Sequence, residues 1–541
     1  LINLYKHTFQ AKSFTGVLVV RYRVHAWDPS VRAAHLDESH GFFNGSSVFL
    51  RVAGREDEPH AVELIAPRGN AYRDWRVATS LPVSKAKPTG SQRGFGNYRV
   101  DNYDALIDHP VEMGRFRLER FEAAGVPHEI AFTGHIPNLD AARITDDLAK
   151  LCAAQIRFFA AKKEAAPFDR YVFLVSVAGE GYGGLEHRAS TALLCSRDSL
   201  PVEGQTDRTA GYRGFLGLAS HEYFHAWNVK RIKPAAFARY DLERENYTSL
   251  LWIFEGFTSY YDDLFLVRTG LASEQQYLEM IAKVIDDVVA GGGRRIQSTA
   301  ESSFDAWIKY YRQDENSPNA IVSYYKKGSL IALCLDLFIR AKSRGKASLD
   351  DVMRLMWRRH GRDFYARVGG TGIGEDDFPS LVAEATGIDV REEVAHWAYG
   401  TDDLPLVEEL AAFGLALRSE RRQQGPSLGA RISAAVAGNE CRITHVDDGG
   451  AAHRAGLAAG DVLVAIDDVH ATPGRIDSLL SRYRAGDTVD VCFFRGDLLQ
   501  KRELVLDAAP MHGVIEDAKK ASKTALTMRK AWLTDTRVPR R

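Results

Sequence analysis

The sequence predicts a multidomain α+β protein with three successive domains and a short tail. Its 541 residues exceed what one hydrophobic core serves, since domains hold roughly 150 residues each. Strand patterns fill the first third, helical patterns dominate the middle, and strands return after a polar linker. We therefore expect a β-sandwich-like domain over 1–135, a mainly helical domain over 136–410, a small β-rich domain over 420–510 and a basic, helical tail over 511–541.

The N-terminal domain is predicted from short runs that are β-branched or alternate between apolar and polar residues. Segments rich in Gly, Asn and Pro separate these runs, as turns separate strands. The runs are 17–26, 47–52, 61–66, 114–121 and 128–132. A helix over 140–163 and an apolar strand over 170–178 then open the second domain.

The middle of the chain is predicted to be helical. One helix over 215–232 must end before Pro234, because the proline ring blocks its continuation. Further helices are expected over 246–268 and 274–289, and another after Ser348, which can form a cap with Asp351.

The last part of the chain returns to strands after the polar linker 418–427. These strands are predicted at 430–435, 441–446, 461–466, 488–494 and 502–506. The final thirty residues carry many Lys and Arg residues in a helical pattern, which predicts a solvated face or a loose tail.

Composition and charge exclude several function classes. Apolar residues make up 45% of the chain and charged residues 26%, and 70 Lys and Arg balance 71 Asp and Glu, so no overall basic field attracts nucleic acid. The sequence contains no run of 18 apolar residues, which predicts a soluble protein without a membrane span. Five scattered cysteines favour reduced thiols. We expect a cytoplasmic protein, or a periplasmic one if a signal peptide precedes Leu1.

Two histidines indicate a metal site. Among 17 histidines, only His221 and His225 lie four residues apart, with Glu222 between them. On a helix, residues i and i+4 share one face, so both imidazoles can reach one ion. Glu222 can reach a water on that ion without being a ligand. The competing hypothesis is a helix with two ordinary histidines against an apolar core.

A catalytic zinc site needs a third protein ligand and an open position. Asp241, Glu243 and Glu245 lie in a polar stretch, whereas Glu255 lies within an apolar helix. An unpaired carboxylate buried there is costly, and a metal ion would neutralise it. A buried ion pair with Arg or Lys is the alternative for Glu255.

Two segments carry a family resemblance. His221–Pro234 (HEYFHAWNVKRIKP) and Phe254–Tyr261 (FEGFTSYY) closely resemble the PDZ-containing glycyl aminopeptidase family of zinc peptidases, part of the gluzincin clan (HExxH…E). The resemblance implies a thermolysin-like catalytic domain that binds one zinc ion (Zn2+). It also implies His221, His225 and Glu255 as metal ligands and Glu222 as the general base.

Two more segments resemble motifs of the same clan. Gly183–His187 (GGLEH) resembles its exopeptidase motif, which implies that Glu186 accepts the free α-amino group of the substrate. A surface or helix-cap carboxylate is the alternative for Glu186. Tyr325–Gly328 (YKKG) resembles its Tyr-x-Lys-Gly segment, which implies that Tyr325 stabilises the tetrahedral intermediate. A tyrosine that only packs in the core is the alternative, and Tyr324 is adjacent.

The segment 450–466 (GAAHRAGLAAGDVLVAI) resembles PDZ domains, and Leu428, Gly429 and Ala430 resemble their carboxylate-binding loop. A peptide C-terminus could bind this loop while the peptide adds a strand to the sheet edge, beside a helix over 476–483. The alternative is a lobe that is only structural.

We therefore predict a zinc aminopeptidase that acts on peptides with a free N-terminus, and neither nucleic acid nor membrane is an expected partner. The resemblance implies a preference for small N-terminal residues such as Gly or Ala. Two other functions stay open: a zinc endopeptidase of the same clan, and a non-catalytic scaffold that binds peptides through its PDZ domain.

Overall fold

A computed structural model describes residues 2–5, 8–10, 15–85, 93–160, 165–366, 370–421, 425–434 and 440–534. The chain divides into two compact units, Leu1–Phe116 and Arg117–Arg541. In the described part of the chain, no helix is both long enough and apolar enough to span a membrane.

The first unit is a β-domain, as predicted. Its elements are β1 (Ile2–Tyr5), β2 (Thr8–Gln10), β3 (Ala34–Leu36), β4 (His40–Phe43), β5 (His60–Leu64), β6 (Arg76–Thr79), β7 (Gly96–Val100), α1 (Tyr103–Ile107) and β8 (Val111–Gly114). A four-stranded antiparallel sheet has the order β3-β4-β8-β6, and β5 pairs with β7. Trp75, Tyr98 and Val111 belong to its core.

Two strands predicted in this unit are not observed. Residues 17–26 form no regular strand, and the predicted strand at 47–52 is replaced by a 3-10 turn at Gly45–Ser47 followed by irregular backbone. Val17 is 90% exposed and Val19 is 69% exposed, so these side chains gain no packing in this unit. β-branched residues favour a strand only where a partner strand and a packed face are available.

The second unit begins earlier than the boundary predicted at residue 135. Its first sheet contains β9 (Arg117–Ala123), β10 (Val126–Thr133), β11 (Tyr171–Ala178), β12 (Tyr182–Glu186) and β13 (Ser190–Ser196), in the order β12-β13-β11-β10-β9. Because β10 pairs with β11 in parallel and with β9 in antiparallel, both β9 and β10 belong to the second unit. Alternation along a strand cannot reveal which sheet the strand joins.

A large helical layer follows this sheet. The helices are α2 (Ala141–Phe159), α3 (Ala210–Phe224), α4 (Phe257–Arg268), α5 (Glu274–Ala290), α6 (Thr299–Phe304), α7 (Ser317–Ala320), α8 (Lys326–Lys342), α9 (Leu349–Met356), α10 (Phe378–Thr386), α11 (Arg391–Trp397) and α12 (Leu406–Ala411). Helix α3 packs against α4 and against the β12–β13 edge of the sheet. The predicted helix at 274–289 and the Ser348–Asp351 cap are confirmed.

Two helix predictions differ from the structure. Helix α3 ends at Phe224, and turns carry the chain on to Ile232. The predicted helix 246–268 starts as a π-helical segment, Trp252–Gly256, and becomes α-helical only in α4. An ideal Cβ on Gly256 would lie 2.6 Å from the Gly328 backbone, so two glycines allow this segment to approach α8 closely.

The C-terminal part contains the predicted small β-rich domain. Its elements, with the strands that flank it, are β14 (Leu415–Glu420), β15 (Ala430–Ala434), β16 (Cys441–Val446), α13 (Ala451–Arg454), β17 (Val462–Ile466), β18 (Val469–His470), α14 (Ile476–Leu480), β19 (Thr488–Arg495), β20 (Leu498–Val505) and β21 (His512–Asp517). The sheet order is β15-β16-β17-β19-β20, with β18 paired to β17. Ile443, Leu463 and Val491 belong to a separate core.

The tail predicted to be helical over 511–541 begins with a strand and becomes helical only from Lys523, and residues 535–541 lie outside the described residues. Its described part is neither loose nor merely solvated. Strand β21 pairs with β14, which occupies part of the predicted linker, and α15 (Lys523–Leu533) follows. Trp532 is fully buried, and its indole N–H donates to the Tyr260 hydroxyl over 2.8 Å. The many Lys and Arg residues predicted a solvated tail and gave no indication that Trp532 packs in the core.

Candidate active site

The two motif histidines converge at the end of α3. His221 lies in the last turn, and His225 is the residue that follows the helix. Their Nε2 atoms are 3.1 Å apart, and the rings are nearly perpendicular at 88°. The i, i+4 spacing therefore places both imidazoles at one point, as predicted.

Glu255 completes the cluster from the π-helical segment. Its Oε2 atom lies 3.3 Å from His221 Nε2 and 3.2 Å from His225 Nε2. Burial raises the pKa of Glu255, but the adjacent His225 and His221 outweigh it and lower that pKa to about 2. The carboxylate is therefore ionised at neutral pH. Its partners are histidines, so the alternative of an ion pair with Arg or Lys is not observed.

Both imidazoles are oriented by groups that the sequence motifs did not indicate. The Asp262 carboxylate lies 2.9 Å from His221 Nδ1, and the Asn228 carbonyl lies 2.7 Å from His225 Nδ1. A proton on each Nδ1 leaves each Nε2 with a lone pair facing the cluster. Asp262 follows Glu255 by seven residues, about two helical turns, and this spacing is the signal that could have found it.

Glu222 lies beside the cluster without joining it. The residue is 5% exposed, and its Oε2 atom is buried without a hydrogen-bond partner among the described residues. Burial raises the pKa of Glu222 to about 7, although His221 and His225 act in the opposite direction. A carboxylate with this pKa can both accept and release a proton near neutral pH.

An edge strand covers Glu222. An ideal Cβ on Gly184 in β12 would lie 2.2 Å from Glu222 Oε1, so only glycine allows the strand to come this close. Glu186 lies at the end of the same strand, and its negative charge contributes to the raised pKa of Glu222. The structure therefore brings Glu186 to the same site.

Tyr325 also reaches the site, whereas Tyr324 is fully buried in the core. The Tyr325 and His221 ring centroids are 6.3 Å apart, and the Tyr325 hydroxyl lies 3.1 Å from the Tyr311 hydroxyl. Burial raises the pKa of Tyr325 well above its ordinary value, and the neighbouring charge of Glu255 adds to this. Its phenol therefore stays protonated and able to donate.

The cluster fits a zinc ion. Tetrahedral zinc with bonds of about 2.0–2.1 Å sets its ligand atoms about 3.3–3.4 Å apart. The three candidate ligand atoms are 3.1, 3.3 and 3.2 Å apart. The set of two nitrogens and one carboxylate oxygen is typical of catalytic zinc. Glu222, whose Oε2 has no partner among the described residues, is close enough to His221, His225 and Glu255 to interact with their charges.

The PDZ-like loop is formed, but it is partly engaged within its own domain. Leu428 is buried in the core of that domain, and Gly429 has a φ of +66°. The Gly429 N–H donates to the Ser427 hydroxyl over 3.0 Å, and Ala430 begins β15.

Two imidazoles and a carboxylate around one point, next to a second buried carboxylate, define the class of the HExxH metallohydrolases. Comparisons with known proteins agree with this class. Residues 214–331 match the M61 glycyl aminopeptidase model, residues 2–115 match the Peptidase M61 N-terminal domain and residues 442–483 match a PDZ domain.

One solved structure that is similar over most of the chain gives the same assignment. An aminopeptidase N family protein from Idiomarina loihiensis is 40% identical, with a TM-score of 0.87, over 94% of this chain and 85% of that chain. A mutant M1 zinc metallopeptidase from Deinococcus radiodurans, bound to a Tyr-ser-ala substrate, is 15% identical over 70% of this chain and 73% of that chain, with a TM-score of 0.42. No curated protein matches the sequence. The chain belongs to the M61 glycyl aminopeptidase family, with the N-terminal and PDZ domains of that family, and it is a metallo-aminopeptidase.

Proposed function

We propose that this chain uses one zinc ion, held by His221, His225 and Glu255, to remove N-terminal residues from peptides. One observation carries the proposal: three ligand atoms meet within 3.3 Å of one another beside the unpartnered carboxylate oxygen of Glu222. An ordinary buried ion pair gives no reason to leave that oxygen without a partner.

Proton transfer is assigned to Glu222. When bound, zinc polarises the scissile carbonyl and makes a nearby water more acidic. Glu222 takes the water proton at Oε2 and delivers it to the leaving amine, and a pKa of about 7 suits both steps. Tyr325 donates its phenolic proton in a hydrogen bond to the developing oxyanion, without adding charge to the site.

Recognition of the substrate N-terminus is assigned to Glu186. Strand β12 lies at the edge of its sheet and passes directly over Glu222, so an extended peptide can pair with it and present its first peptide bond. At the end of β12, Glu186 binds the α-ammonium and sets the cut one residue from it. Family membership supports Gly or Ala as the residue removed.

Paired substrates separate this function from an endopeptidase with the same catalytic core. Glycyl and alanyl amides with a free amine should be hydrolysed, and their N-acetylated forms should not. Glu186→Gln should reduce hydrolysis of the free substrates, because a charge-assisted hydrogen bond is lost. Glu203→Gln, a change at an exposed carboxylate of the same unit, is the matched control. Equal hydrolysis rates on free and acetylated substrates would show that Glu186 does not bind the substrate α-ammonium group.

Two further assignments concern the PDZ domain and the cellular compartment. We propose that the loop of Leu428, Gly429 and Ala430 binds a peptide C-terminus, although the Ser427 hydroxyl already accepts the Gly429 N–H. Binding of a peptide acid, compared with its C-terminal amide, tests this role.

We also propose a cytoplasmic location, which the five cysteines without disulfide bonds support.

A further inference from the structure

A second group of candidate metal ligands lies in the first unit, on the hairpin of β3 and β4. His35, Asp37 and His40 each offer one potential ligand atom, and these three atoms lie within 4.8 Å of one another. Two of these atoms, His35 Nε2 and Asp37 Oδ2, are 3.2 Å apart. That separation is close to the one between neighbouring ligands of a tetrahedral zinc ion, about 3.3–3.4 Å.

The hairpin turn holds Asp37 in place. Asp37 Oδ1 accepts the backbone N–H groups of Ser39 over 2.7 Å and of His40 over 3.0 Å. Because Oδ1 is engaged in the turn, Oδ2 is the oxygen that faces His35. The carboxylate therefore needs no rearrangement to act as a ligand.

The second histidine is oriented as a metal-binding histidine usually is. His40 Nδ1 lies 3.1 Å from Oε1 of Glu112, a residue of β8 that is only 3% exposed. A proton donated by Nδ1 to Glu112 leaves the lone pair on Nε2. The active site contains the same arrangement, where Asp262 faces Nδ1 of His221.

His35 faces the group through its Nε2 atom, which lies next to Asp37 Oδ2. Its other ring nitrogen, Nδ1, is buried and has no hydrogen-bond partner among the described residues, and an ion bound at Nε2 would not change that. The side chains of His35, Asp37 and His40 are 12%, 33% and 19% exposed, so an ion can enter from solvent and keep a water ligand.

We propose that His35, Asp37 and His40 bind a second zinc ion, which joins the β3–β4 hairpin to β8 through Glu112. Two imidazoles and one carboxylate suit zinc better than calcium or magnesium, which prefer oxygen ligands. The role is structural, and it does not depend on the peptidase mechanism.

Zinc content of the full-length chain tests this proposal. After equilibration with zinc and desalting, the unaltered chain should retain two equivalents. The double variant His35→Gln/His40→Gln should retain one and keep its kcat, and His221→Gln should retain the other one. His25→Gln, a change at an exposed histidine of the same unit, should retain two. The proposal would be overturned if the double variant retained two equivalents of zinc. It would also be overturned if His25→Gln lost as much zinc as the double variant.

Zinc affinity of single variants gives a second measurement, which does not depend on whether the double variant folds. Asp37→Asn keeps Oδ1 for the turn but replaces Oδ2 with an amide nitrogen, which is not a ligand. Zinc titration in the His221→Gln background isolates this site. We expect Glu112→Gln to weaken binding about 10- to 100-fold and Asp37→Asn to weaken it more. If Asp37→Asn left the zinc affinity unchanged, Asp37 would not be a ligand, and its contacts with His35 and the turn would be hydrogen bonds only.

Discussion

Helix α4 contributes to two buried polar clusters that differ in how fully their carboxylate oxygens are hydrogen-bonded. At its middle, Asp262 contacts His221 and so supports the cluster of His221, His225 and Glu255. The neighbouring Glu222 keeps one oxygen without a partner among the described residues. Towards its end, Arg268 contacts Asp350, and a second arginine, Arg340, bridges Asp350 and Asp336. These are called the active-site cluster and the Asp–Arg network below.

The Asp–Arg network is closed, in the sense that every carboxylate oxygen of Asp336 and Asp350 accepts a hydrogen bond. Asp336 accepts from Arg340 and the Leu349 N–H through Oδ1, and from Tyr260 through Oδ2. Both oxygens of Asp350 are engaged as well, by Tyr261 and by the two arginines. A closed network stabilises one packing arrangement, whereas an open one keeps a group available for chemistry. Four predictions test this difference.

The largest effect is expected for Glu222→Gln. The amide cannot accept the water proton, so kcat should fall about 10³- to 10⁴-fold. Zinc content should not change, because Glu222 is not a ligand. Kinetics on a glycyl amide, together with metal analysis, measure both quantities. Hydrolysis at the normal rate would show that the base lies elsewhere.

Asp350→Asn should act on stability instead. It leaves the buried Arg268 and Arg340 without their shared counter-charge, and breaking a buried pair costs about 3–5 kcal/mol in the free energy of unfolding. Denaturant unfolding measures this loss, and the folded fraction should keep its kcat and its zinc. Asp389→Asn, which removes an exposed ion pair with Arg391, is the control and should leave stability unchanged.

The two clusters should respond to pH in opposite directions in the metal-free chain. The folded pKa of Glu222, about 7, exceeds its ordinary value of 4.5, so its contribution to stability is complete below pH 4.5 and is lost as the pH rises through 7. Burial raises the pKa of Asp350, but Arg268 and Arg340 outweigh it and lower that pKa, so its contribution is present at neutral pH and is lost in acid.

Unfolding of metal-free Glu222→Gln and of the unaltered chain at pH 4.5 and pH 8 measures the first of these contributions. The variant should gain about 2–3 kcal/mol in the free energy of unfolding, relative to the unaltered chain, between the two pH values. An equal difference at both pH values would contradict the raised pKa of Glu222.

The smallest effect is expected for Asp262→Asn. The change weakens the orientation of His221 but leaves all three ligands in place, so zinc affinity should fall about 10- to 100-fold. Competition with a chelator measures this affinity. Asp263→Asn is the neighbouring control. If both variants lose affinity equally, the effect is a general change of charge rather than the contact with His221.

The proximity of His221, His225 and Glu255 could be predicted from the sequence because these residues lie in two short segments. His221 and His225 follow a helical spacing, and Glu255 was the one candidate carboxylate in an apolar environment. Local pattern did not indicate Asn228, whose carbonyl faces His225 only because α3 ends early and the chain turns back.

The fold was less predictable where pairing over long sequence distances decides the structure. β9 and β10 have ordinary strand patterns, and only the pairing of β10 with β11 places them in the second unit. Similarly, residues 17–26 have a strand composition but no strand partner among the described residues of their own unit. Strand propensity is local, whereas the choice of sheet is not.

The pairing of β14 with β21 has a consequence for the architecture. These strands flank the PDZ domain in the chain and lie side by side, so that domain is an insertion whose two ends leave the catalytic body at one place. It is tethered twice, unlike a module that swings on a single linker. Because α15 comes after the insertion and packs on α4, truncating the chain beyond the PDZ domain would also remove support from the helix that carries Asp262.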